Sequence, residues 1–244
     1  MKAVVLTFLL FLSIGFSLIA QEPESKFSAN ASFKLVSKYM FRGVEMTKDP
    51  NIVGEASIGY KGWTLGMWAT TNYSGTFYEP DIYISYAPKN FVFTLYDFDM
   101  GQGNDYFNFN NKNTTHLDEF SVKYTVSEKI PLSFTVGTTI WGADKKVDHY
   151  DSTGQAVLKD KNNFSTYVEA VYPFVLKEIT VTPTIGLVTS ESYTYGSKGF
   201  SLINVGVTFE KRIRVSDKLS IPVGYSFIYN QSQKRAYSVM SIGI

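Results

Sequence analysis

Residues 119–141 read "EFSVKYTVSEKIPLSFTVGTTIW". Phe120, Val122, Tyr124 and Val126 alternate with mostly polar residues; a polar stretch follows, and Leu132, Phe134, Val136, Thr138 and Ile140 resume the alternation. A period of two puts successive side chains on opposite faces of a β-strand. Most such runs in this chain have about the 9 to 11 residues that a tilted strand needs to cross a bilayer.

The same texture continues from Phe27 to the last residue. The pattern predicts strands at 27–42, 51–60, 63–71, 79–87, 91–98, 119–127, 132–141, 163–173, 179–189, 200–211, 219–229 and 236–244. Tight turns such as "YKGW", "PKN", "SEKI" and "VSDKL" alternate with longer polar loops, of which 99–118 and 142–162 are the longest. Turns at one end and loops at the other distinguish an up-and-down outer-membrane barrel from a soluble β-sandwich. The fold expected is therefore all-β: a transmembrane antiparallel β-barrel of about 12 strands with both termini on the short-turn side. Pro183, within "ITVTPTIGLV", is awkward for any central strand, because it cannot donate to the ladder.

Lipid offers backbone groups no partners, so the sheet must close and its apolar face must look outward. Tyr39, Phe41, Tyr60, Trp63, Phe91, Phe134, Tyr172, Phe209, Tyr225 and Tyr229 are then candidates for aromatic girdles at the two interfaces. By the same alternation Lys34, Lys38, Arg42, Glu55, Glu119, Lys123, Glu169 and Glu210 face the lumen. Cations and anions balance there. Lys34, Lys38 and Arg42 read as a ladder up the wall of the first strand, with Arg42, beside Gly43, guarding the mouth. A symmetric first hairpin would set Lys38 opposite Glu55. Polar side chains in a lumen of this size can line a passage or interlock as a plug. The small residues expected on the inner face (Ser133, Thr135, Gly137, Thr139; Thr180, Thr182, Thr184, Gly186) favour a passage.

Residues 1–20, "MKAVVLTFLLFLSIGFSLIA", have a positive start, an apolar run and a small residue before "QEPESK". They read as a cleavable signal peptide, with a retained membrane helix as the alternative. Residues 21–26 then form a short periplasmic segment, and 27–244 the barrel. The formal net charge of +1 gives no basis for steering nucleic acid or an acidic substrate. Without cysteine there is no disulfide framework, thiolate metal site or lipid-modified N-terminal cysteine.

Enzymatic signals are sparse. His116 and His149 fall in the long loops, near Asp118 and Glu119 and near Asp148, Asp151 and Ser152, and read as solvated loop residues. Asp97, Asp99 and Asp105 gather near one rim, but the calcium-loop spacing and its closing Glu are missing. No motif asks for a cofactor. The expectation is a protein without catalytic activity.

The stretch "LVSKYMFRGVEMTKDPNIVGEASIGYKGWTLGMWATTNY" resembles the N-terminal signature of the TorF-like porins of Gram-negative outer membranes. The matching residues are Val36, Ser37, Tyr39, Phe41, Arg42, Gly43, Val44, Pro50, Gly54, Gly62, Trp63, Gly66 and Trp68. The resemblance implies an outer-membrane barrel of pore function with no catalytic residues. The expected partners are outer-membrane lipid, the outer-membrane assembly machinery and small hydrophilic solutes. The chain closes on "YSVMSIGI", ending on Ile244 where many outer-membrane proteins carry an aromatic that the assembly machinery reads. The signal ending "SLIAQ" resembles those of Bacteroidota. A non-conducting barrel with a structural, adhesive or anchoring role through its long loops is the contrasting expectation.

Overall fold

The computed structural model describes residues 26–100, 105–217 and 219–244. The proposed signal peptide and most of the segment after it lie outside the described residues. Twelve strands form the wall. They are β1 (Phe27–Val36), β2 (Asn51–Tyr60), β3 (Trp63–Asn72), β4 (Tyr78–Tyr86), β5 (Phe91–Asp99) and β6 (His116–Thr125). The others are β7 (Ser133–Gly142), β8 (Thr166–Val171, resumed as Phe174–Leu176), β9 (Ile179–Val188), β10 (Ser201–Arg214), β11 (Ser220–Asn230) and β12 (Arg235–Gly243). Each pairs antiparallel with its neighbour in sequence, and β1 pairs with β12, so the sheet closes into a barrel.

The alternation read from the sequence is the alternation of the wall. In β2 and β3, Ile52, Ile58, Tyr60, Trp63, Leu65 and Met67 look outward, Ile58 being 50% exposed and Met67 54%. Asn51, Gly59, Gly66 and Thr70, one position out of phase, are buried inside. At the short-turn end Trp63 stacks on Tyr86 at 4.7 Å and Phe91 meets Tyr124 at 4.9 Å, forming part of an outward aromatic belt. Rings with an apolar body and a polar rim suit a lipid–water boundary. Pro183 sits in β9 with its outward neighbours. Its missing N–H falls opposite the break in β8, where Tyr172 still donates its own N–H to the Pro183 carbonyl at 3.2 Å.

One segment departs from the expected strand. The wall strand β1 ends at Val36, not at residue 42. Beyond it the chain bends inward as a small hairpin of Tyr39–Phe41 paired with Val44–Thr47. Its turn places Arg42 at φ 49° and Gly43 at φ 83°. Two consecutive positive φ values make the two-residue turn whose twist matches a hairpin, and the second is readily supplied by glycine. The hairpin continues the β1–β2 pair but is folded into the lumen.

Candidate functional site: a hairpin latched across the lumen

Tyr39 and Phe41, expected on the outer girdle, instead point inside the barrel. Tyr39 is buried, its ring 5.4 Å from Trp68 of β3 and 5.9 Å from Phe77, and its hydroxyl donates to Glu79 of β4 at 3.1 Å. Phe41 lies edge-on to Phe98 of β5 and stacks on Tyr195 from the loop 189–200. The physical reason is the inward bend: faces are defined by the local strand, so alternation is kept while the surroundings of each face change.

Arg42 ends the reach. Its guanidinium grips both carboxylate oxygens of Glu119 on β6, one at 2.7 Å, and also donates to the Tyr195 hydroxyl. Its flat face lies 4.7 Å from the Tyr167 ring centre of β8, and Tyr167 in turn stacks on Tyr195. A two-pronged guanidinium–carboxylate bond is directional as well as strong. Burial works against the Arg42 charge, but Tyr195 and Glu119 outweigh it and hold the guanidinium well above its usual range. Burial pushes the Tyr195 hydroxyl up to about 12, with Arg42 pulling the other way. Both groups keep their protons across the physiological range.

Backbone contacts seal the tip. Gly43 lies so close to β10 that a Cβ there would overlap the Ile203 carbonyl, and its own carbonyl accepts from Asn230 of β11 at 3.0 Å. Tyr167, Val188, Tyr195 and Ile203, with Phe41 and Val44 packed on them, form a buried apolar cluster around the tip. At the base Lys38 pairs with Glu45 at 2.7 Å and lies 5.5 Å from the ring centre of Tyr237 on β12. The hairpin thus touches β3, β4, β5, β6, β8, β10, β11 and β12, which is most of the circumference.

Tyr195 is placed by a second network. The Asp144 carboxylate, buried beyond β7, accepts from the Ser165 backbone N–H at 2.8 Å, the Ser165 hydroxyl at 2.7 Å and the Thr194 hydroxyl at 2.9 Å, and also from Thr139. Ser165 and Ser192 hydroxyls lie 2.6 Å apart, and Ser192 accepts the Tyr195 N–H. Two long loops are thereby tied together, with Tyr195 held over the hairpin tip.

Inner-face glycines make room for these side chains. A Cβ at Gly137 would collide with the Glu119 carboxylate, and one at Gly186 with the Tyr167 hydroxyl. Part of the small-residue pattern that suggested a passage therefore seats the latch.

Of the lumen candidates, Glu119 is 0% exposed and carries the latch with Arg42. Glu169 accepts from Tyr167 at 2.6 Å and from Asn204 at 3.1 Å. Glu55 accepts from Tyr83 at 2.7 Å. Lys34, Glu55 and Lys123 are exposed and Glu210 half-buried. Arg212, also on β10 and exposed, was missed because that strand runs past its expected end. The three-rung cation ladder and the Lys38–Glu55 pairing are corrected: Glu55 faces Ser32 in the β1–β2 register, while Lys38 and Arg42 belong to the hairpin. Tyr195, Tyr167, Glu79 and Asp144 had no signal in the pattern; the "RG" turn at 42–43 is the one clue that the strand stops.

His116 is not a solvated loop residue. It begins β6, 0% exposed, with Asp97 2.8 Å from Nδ1 and the Tyr106 carbonyl 2.6 Å from Nε2. The Tyr106 and Phe109 rings enclose it. A carbonyl only accepts, so Nε2 donates, and the ring pins its loop to the rim. Thr115 occupies Asp99 at 2.6 Å, and Asp105 caps the Phe107 N–H of its own loop at 3.0 Å. His149 is exposed beside Asp148, a carboxyl that Lys159 and His149 hold below the usual range.

In overall fold the chain is similar to a NanC porin, solved in a rhombohedral crystal form. That structure matches with a TM-score of 0.52 over 88% of this chain and 98% of that one, at 11% sequence identity. The fold is a porin-like β-barrel. No protein-family model matches the chain, and no curated protein matches it significantly.

Proposed function

We propose that this protein is an outer-membrane channel for small hydrophilic solutes, closed by the inner hairpin in the conformation described above. In this reading residues 1–20 are a signal peptide removed on export, the termini lie in the periplasm, and the long loops face outward from the cell. The likeness to a porin barrel supports it, as does the signature by which the chain resembles the TorF-like porins. The observation that carries it is the asymmetry of the lumen. Away from the hairpin's contacts the inner face carries exposed charges of both signs, at Lys34, Glu55, Lys123 and Arg212. On the loop side one latched hairpin reaches across the lumen to strands around most of the wall. Mixed charge around water suits polar solutes of either sign and modest size.

Planar-bilayer recording of the refolded full chain tests this. The expected result is rare, brief conductance steps from the native protein and sustained ones from Arg42→Ala, whose hairpin has lost its grip on Glu119. Silence from both proteins would leave the second reading, a non-conducting structural barrel, which the hairpin's contact around most of the wall also fits.

A further inference from the structure

The seam between β1 and β12 is the shortest in the wall. Its register pairs only Lys34 with Gly243, Leu35 with Ile242 and Val36 with Ser241. Phe33 and Ile244 exchange backbone hydrogen bonds below it, and the Ser37 N–H donates to the Met240 carbonyl at 2.9 Å above it. There the ladder fails in an informative way. The Met240 N–H, which in a continuing antiparallel pair would reach the Ser37 carbonyl, goes instead to the Ser37 hydroxyl at 3.0 Å. The main chain has already turned away into the lumen.

Above Met240, β12 runs on to Arg235. Its bonding groups recur at every second residue, so Ser238 and Ala236 present theirs to the same edge as Met240. Among the described residues nothing pairs with them on that side. An unpaired edge is a template for another strand, and one within a barrel wall is costly. Continuing the β1 register past Ser37 sets Tyr39 opposite Ser238 and Phe41 opposite Ala236. The alternation also continues. Phe33, Leu35 and Ser37 share a face with Tyr39 and Phe41, and Met240, 66% exposed, lies on the outward face of the partner strand.

We propose that the hairpin 39–47 is a gate that opens by straightening onto the free edge of β12, so that the residues blocking the bore become the missing part of the wall. This rests on the channel reading. Straightening exchanges the Arg42–Glu119 latch for backbone bonds to Ser238 and Ala236. It moves Tyr39 and Phe41 from the lumen to an outward position at the rim and turns Lys38 and Arg42 toward the water-filled bore. The bends that permit it are at 37–38 and 48–50, outside the regular strands, where among the described residues only the Ser37–Met240 and Tyr73–Pro50 backbone bonds tie the chain to the wall. In the open form the first hairpin becomes one long β1–β2 arm, the reading that the alternation gives.

Disulfide trapping tests this directly, since the chain has no cysteine of its own. Two double variants of the refolded full chain, Phe41→Cys with Ala236→Cys and Tyr39→Cys with Ser238→Cys, would be exposed to mild oxidant. In the closed form Phe41 packs against Phe98 and Tyr195, away from the β12 edge. The expected result is an intramolecular disulfide in most molecules of at least one variant, conductance that stays on, and native-like closure after reduction. Absence of cross-linking in both, while the native chain conducts, would overturn the gate and leave the channel standing. A cross-link formed without a change in conductance would also overturn it. Silence from the native chain and from Arg42→Ala in bilayers would instead remove the channel reading on which it rests.

Discussion

The two sides of the inner hairpin are held very differently. At the tip, both Glu119 oxygens are taken by Arg42, the cation lies on Tyr167, and Asn230 holds the Gly43 carbonyl. At the base, Tyr39 gives one hydrogen bond to Glu79, while the other Glu79 oxygen and one oxygen of buried Asp81 have no partner among the described residues. A completed charged network fixes one geometry, whereas buried acceptors left without donors weaken the face that carries them. The hairpin is therefore fastened where it is furthest from its root, and only lightly held where it bends. Such a device releases as a unit once the tip is undone.

The sharpest way to break that contrast is Glu119→Gln. The amide keeps the shape but leaves the Arg42 charge buried against a neutral partner. Breaking a buried ion pair in this way costs about 3–5 kcal/mol, which moves a docked-to-released ratio by roughly a hundredfold or more. Trypsin cleavage after Arg42 or Lys38 in the refolded protein reads the released population. The variant is expected to be cut far faster than native, with the barrel otherwise intact. Cleavage at the native rate would mean that the apolar cluster, not the ion pair, holds the tip.

Gly43→Ala acts on the same side through the backbone. Its Cβ would overlap the Ile203 carbonyl, and the residue would occupy a positive φ that side chains resist. Strain of this kind amounts to about 1–3 kcal/mol. The expected outcome is a released fraction between those of native and Glu119→Gln. A released fraction equal to native would show that β10 yields to the tip.

How much of this was legible follows from the range over which each signal acts. β2 was expected at 51–60 and is Asn51–Tyr60; β9 was expected at 179–189 and is Ile179–Val188. Alternation is local, and a wall with an apolar outer face and a polar inner one enforces it residue by residue. The first strand was read through to 42 because its alternation holds that far, and the hairpin keeps it. What bends the chain is a partner far off in sequence: Glu119 is 77 residues from Arg42 and Tyr195 is 153. A pattern of faces says which side chains share a side; it does not say which wall that side meets. His116 shows the same limit, since its burial comes from Tyr106 and Phe109 folding back over it. Lys34 and Lys123 are exposed, and among the described residues no ion pair reaches across to them.

Tyr39→Phe probes the light side and has the smallest effect expected. The ring stays against Trp68 and Phe77, so only the hydroxyl's bond to Glu79 is lost. A single such bond contributes about 1 kcal/mol, and here the loss leaves a carboxylate that already lacked one donor. The released fraction should rise by several-fold at most, clearly less than in Glu119→Gln, because the tip still holds. The double variant decides whether the two sides are independent. If they are separate attachments, their free-energy effects on the closed hairpin add. If Tyr39→Phe has no further effect once Glu119 is replaced, the base contact forms only when the tip is latched. Closure would then begin at Arg42 and end at Tyr39.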